Sequence, residues 1–171
     1  MKMILGGALA ETLTLVCAIF LFAQEPSPAA PDAPTQPIPY SHKKHLAMGL
    51  DCKDCHVNPD PGDRMTFPAE AKCMACHATI AKEKPAIQKL AEYAKSGKPV
   101  PWVRVYVLPG WVYWNHRSHL EAGMTCEMCH GKVADLEVMT RATNVTKMAG
   151  CIDCHRKNEV STGCKYCHND K

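Results

Sequence analysis

The chain has 171 residues, enough for one compact unit or two small modules, and offers only 3 Phe, 3 Trp and 5 Tyr to fill an interior. That supply is thin for a conventional core, so something other than aromatic side chains has to occupy the middle of the fold. A formal charge of +3, from 20 Lys and Arg against 17 Asp and Glu, is too weak to argue for a nucleic-acid partner.

Residues 1–23 hold Lys2 and then an apolar run broken only by Glu11. The uninterrupted part, Thr12 to Ala23, has the length of a signal-peptide core, with Ala23 before Gln24 as a cleavage point. Ile4 to Ala23 is also 20 residues, enough to cross a bilayer as an anchor, although Glu11 is costly in lipid. Cys17 lies in this run behind Leu15 and Val16, not the small residues of a lipidation site, and reads as one more apolar residue. Residues 24–39 carry Pro26, Pro28, Pro31, Pro34, Pro37 and Pro39 and read as an extended, semi-rigid linker.

Tyr40 to His56 reads YSHKKHLAMGLDCKDCH, and Trp114 to His130, 74 positions later, reads WNHRSHLEAGMTCEMCH. The two align without a gap, from an aromatic through His-x-x-His and Gly to Cys-x-x-Cys-His. An internal repeat of this kind implies two modules opened by the same device. In each copy the histidines stand three apart, so that one helical turn projects both from nearly one face, and a Gly (Gly49, Gly123) follows as a stop. Histidines so placed can give an imidazole to each of two neighbouring irons. The plainer reading, surface histidines in a basic turn, is weakened by the recurrence of His42 and His45 as His116 and His119.

Cys-x-x-Cys-His is the pattern for covalent haem attachment: both thiols form thioethers with the porphyrin, and the adjacent imidazole reaches the iron. It occurs five times, at Cys52, Cys55 and His56; Cys73, Cys76 and His77; Cys126, Cys129 and His130; Cys151, Cys154 and His155; and Cys164, Cys167 and His168. These motifs use ten of the eleven cysteines. Zinc frameworks consume cysteine pairs two at a time, and five pairs leave one over; a thioredoxin-like dithiol wants a βαβ pattern that is absent. Thioether attachment belongs outside the bacterial cytoplasm, so five sites behind an export segment place the protein on the periplasmic side, soluble or anchored through residues 4–23.

Five covalent haems account for the thin core, because flat apolar macrocycles fill the interior and folding becomes dependent on them. They also change the charge. Two propionates per haem add about −10 and each ferric core about +1, leaving a protein near −2 oxidised and near −7 reduced. The Lys and Arg residues then read as propionate partners and solvating charge.

Between the repeats, 85–96 is predicted as a helix: Pro85 in the first turn, Ile87, Leu90, Ala91 and Ala94 on one stripe, and Gly97 beyond the end. From Val100 to Trp114, alternating Val103, Val105 and Val107 followed by Pro109-Gly110 predict a short hairpin that delivers the second His-x-x-His. The expected architecture is mostly irregular, with short α-helices and that small β-hairpin. It divides into a dihaem module (40–97) and a hairpin with a trihaem module (98–171).

His-x-x-His ahead of clustered Cys-x-x-Cys-His resembles the cytochrome c3 and c7 families of multihaem electron carriers. More narrowly, PWVRV at 101–105, Leu108-Pro109, VYWNH at 112–116, Cys129-His130-Gly131 and CIDCHR at 151–156 resemble the pentahaem subunit of alternative complex III. That is a bacterial quinol:electron-acceptor oxidoreductase. The resemblance covers about residues 38–168 and implies electron transfer between a membrane quinol-oxidising partner and a separate acceptor.

It also implies ligand pairings. By the order in c3- and c7-like proteins, His42 should serve the haem at His56, His45 that at His77, His116 that at His130, and His119 that at His168. Nine histidines cannot supply two ligands to each of five irons. The haem at His155 is left, and Met148, three residues before Cys151, matches a methionine of the resembling subunit. Met139 is the runner-up, and plain packing is the alternative role for Met148. If the odd haem has no protein ligand, the competing function is a multihaem reductase with one five-coordinate catalytic haem.

Overall fold

The computed structural model describes residues 33–168. Residues 1–23, read above as a signal or anchor, and residues 24–32 of the proline-rich stretch lie outside the described residues.

Among the described residues, eight short helices and one 3-10 turn are joined by irregular chain: α1 (His42–Leu46), α2 (Cys52–Cys55), α3 (Glu70–His77), α4 (Pro85–Ser96), α5 (His116–Glu121), α6 (Cys126–His130), the 3-10 turn Val133–Asp135, α7 (Met148–Lys157) and α8 (Cys164–Cys167). Every Cys-x-x-Cys pair lies on a helix, so each is presented on a single turn with its histidine following. The shortest of these helices need local support. Asp51 caps α2 with a 2.6 Å bond from the Cys52 amide, and Asp54 accepts from the Asp51 amide at 2.7 Å. The repeat starts are capped alike, Ser41 Oγ accepting from the Lys44 amide at 3.1 Å and Asn115 Oδ1 from the Ser118 amide at 2.8 Å.

Helix α4 keeps the bounds that Pro85 and Gly97 suggest, with Gly97 left-handed at φ +66°. It packs on α3, and Leu90 joins Ile38 and Val100 in the buried apolar cluster among the described residues. Three buried apolar side chains are a small return for the 33–168 span. Large apolar side chains elsewhere, among them Met48, Trp111, Tyr113 and Tyr166, stand exposed in the polypeptide. The distribution suits a chain that wraps apolar groups other than its own side chains.

The hairpin expected over residues 100–114 does not form. The segment is extended but does not pair with itself, because Pro99, Pro101 and Pro109 remove ladder donors. Its backbone is satisfied elsewhere. The Gln36 amide takes both polar groups of Val103, donating to its carbonyl at 2.8 Å and accepting from its N–H at 2.9 Å. Further on, Val112 makes an antiparallel bridge to His168, and the Tyr113 amide donates to the Cys167 carbonyl at 2.8 Å.

Candidate haem-binding sites

Sites I to V denote the five Cys-x-x-Cys-His motifs in chain order, ending in His56, His77, His130, His155 and His168. Four of the five histidines face a second imidazole. His42 stands opposite His56 with ring centroids 6.5 Å apart, His45 opposite His77 at 6.1 Å, His116 opposite His130 at 6.4 Å and His119 opposite His155 at 6.3 Å. Metal–imidazole bonds of about 2 Å on either side of one iron, with the radius of each ring added, put two centroids about 6 Å apart. The pairs therefore fit an iron held between them, with two thiols at each site on the turn before the second histidine. Among the described residues no three His, Cys, Asp or Glu side chains gather into a cluster for a bare metal ion.

The ring nitrogens are prepared for this. Nδ1–H donates to a backbone carbonyl in His45 (Ser41, 2.8 Å), His56 (Thr66, 2.7 Å), His77 (Ile80, 3.0 Å), His116 (Asp63, 2.9 Å), His119 (Asn115, 2.9 Å) and His155 (Ser161, 3.1 Å). Each bond fixes the tautomer that leaves Nε2 free to bind metal and sets the ring's orientation. Burial, and after it the His56 and His45 imidazoles, lowers His42 to about 4. Burial followed by His116 and His56 lowers His130. Burial lowers His116 too, against the opposing effect of its bond to Asp63. Neutral imidazole is the form that ligates.

The repeat holds in three dimensions. Tyr40 meets His42 edge-on at 4.9 Å and stacks on His45 at 4.4 Å; Trp114 meets His116 edge-on at 4.3 Å and stacks on His119 at 5.5 Å. The aromatic that opens each copy thus braces both histidines, a role the motif reading left unassigned although the aromatic recurs in it. A second contribution without a sequence signal is the loop after His56. The amides of His116 and Arg117 both donate to the Gly62 carbonyl, at 2.9 and 3.2 Å, and the Arg117 guanidinium pairs with Asp60.

Two expectations differ from the structure. His119 was expected to reach His168 and Met148 to stand opposite His155, but the ring opposite His155 is that of His119. The reason is spacing: a three-residue step on α5 reaches two adjacent sites, and the sites adjacent there are III and IV. His168 is held by the extended segment instead, through its bridge to Val112 and the Trp111 ring 5.1 Å away. Among the described residues no imidazole stands opposite it, and its Nδ1 is buried without a hydrogen-bond partner. Met148 opens α7 with its side chain largely exposed.

The chain matches the cytochrome c3 family over residues 44–100, which takes in sites I and II. It is also 31% identical over 160 aligned positions to the "Menaquinone reductase, multiheme cytochrome c subunit" of Nitratidesulfovibrio vulgaris strain Hildenborough, an alignment covering 78% of this chain and 76% of that one. Haem bound through these thioethers supplies reversible one-electron chemistry, and the chain supplies its attachment, axial ligands and orientation. With the site geometry and these two likenesses together, the chain belongs to the cytochrome c3-like family of multihaem c-type cytochromes, respiratory electron-transfer proteins with covalently bound haem c.

Proposed function

We propose that this protein is a pentahaem electron-transfer subunit on the periplasmic side of the cytoplasmic membrane, exchanging electrons between a membrane partner that reacts with quinone or quinol and a separate redox partner. The observation that carries this reading is the set of four histidine pairs at iron-spanning distance beside their cysteine pairs. Closed, two-ligand irons suit electron transfer rather than substrate chemistry. The relative's printed role in a menaquinone reductase supports a quinone-reactive partner. Residues 4–23 serve as the export signal or the membrane anchor; 40–97 form the dihaem module and 98–171 the trihaem module.

In this reading the axial pairs are His42 with His56, His45 with His77, His116 with His130 and His119 with His155. The odd iron is the one at His168. Met148, which the resemblance offered as the axial methionine and which His119 displaces from His155, is its sixth ligand.

The test is to purify the holoprotein from membranes with whatever accompanies it, measure its mass and haem content, and add a menaquinol analogue. Five haems that resist acid-acetone extraction, reduced by the quinol only when the membrane partner is present, are expected. Extractable haem, or a count other than five, overturns the reading. N-terminal sequencing of the same material distinguishes a chain starting at Gln24 from one that keeps its anchor.

The competing function, a multihaem reductase, draws on the lack of an imidazole opposite His168. It requires that iron to be open, so carbon monoxide binding by the reduced wild-type protein would favour it.

A further inference from the structure

We infer that the five sites stand in single file in the order II, I, III, IV, V, so that the first two run backwards relative to the chain and sites II and V are the two ends. The inference rests on the ligand pairings proposed above and concerns their arrangement in space.

Sites II and I are neighbours because one turn, α1, faces both: His42 looks toward His56 and His45 toward His77. Sites III and IV are neighbours for the same reason on α5, through His116 and His119. The join between the two halves runs through site I. The loop that follows His56 is the seat of α5, receiving the amides of His116 and Arg117 at Gly62 and the His116 ring at the Asp63 carbonyl. On the other side, α1 packs on the 3-10 turn that follows His130, with the Lys43 amide donating to the Leu136 carbonyl at 3.0 Å and Lys44 paired with Glu137 at 3.5 Å.

Site II lies away from this join. Its helix α3 is packed against α4, and Glu70 accepts from the Val100 amide at 2.7 Å beside the Ile38, Leu90 and Val100 cluster. At the opposite end, Tyr166 of site V meets His155 of site IV edge-on at 6.5 Å.

Proton NMR on the reduced holoprotein tests the order, with carbon monoxide present to keep any open iron low-spin and the spectrum diamagnetic. Cross-relaxation is expected between substituents of the haems at Cys52/Cys55 and Cys126/Cys129, and between the other three neighbouring pairs. A contact between the haems at Cys73/Cys76 and Cys126/Cys129, or the lack of one between sites I and III, overturns it. Mass and visible spectrum of the same sample count haems and low-spin irons first, so failure of the pentahaem reading would be seen separately.

Discussion

His119 and His155 face each other across 6.3 Å with their rings tilted by 31°, although 36 residues separate them. This pair moves the odd site of the protein from His155 to His168, and with it the consequences of several substitutions.

His119→Ala should leave all haems attached, since the thioethers persist, while opening the site IV iron to carbon monoxide. Met148→Leu should open, or lower the potential of, a different iron, because a thioether ligand favours the ferrous state more than imidazole does. The double variant should then bind two carbon monoxide molecules per protein by titration of the reduced form. One molecule would mean that only one of the two residues is an axial ligand.

Replacing Tyr40 or Trp114 by Leu should loosen a histidine pair without removing a ligand. Each ring contacts both histidines of its repeat, and aromatic pairs of this kind are worth about 1 kcal/mol beyond their area. For a chain of this size that is a fall in melting temperature of roughly 3 °C. Calorimetry of the holoprotein, with the low-spin spectrum retained, checks it.

Gly62→Ala should disturb site III. The backbone at Gly62 has φ +103°, and a Cβ there would come within 2.6 Å of the Arg117 Cβ. The strain costs about 2 kcal/mol, and relieving it moves the carbonyl that seats His116. A change in the spectrum or potential of the site III haem with site II unaffected is expected; an unchanged site III would show that the loop does not position the ligand.

Chain made without haem attachment should be largely unfolded. With Ile38, Leu90 and Val100 the buried apolar core of the described part, the polypeptide lacks the burial to offset its conformational entropy. Circular dichroism of chain produced in the cytoplasm should show little helix, and a cooperative thermal transition there would contradict the argument.

Much of the site was legible in the residues because its chemistry is local. A thiol pair three apart with histidine next to it must lie on one turn, and His-x-x-His must share one face, so the attachment cysteines, the nine histidines and the repeat can be read along the chain. The bounds of α4 follow likewise from Pro85 and Gly97. What the tertiary structure decided is which face meets which. The partner of His119 depends on where site IV sits relative to α5, the seat of α5 depends on a loop more than 50 residues earlier whose Gly62 and Asp63 contribute backbone carbonyls, and the valines of 103–107 alternate as a strand would while the Val103 backbone goes to the Gln36 side chain and the Val105 carbonyl to Arg141. Backbone carbonyls carry no residue-specific signal, and a periodicity of two records an extended chain without naming its partner.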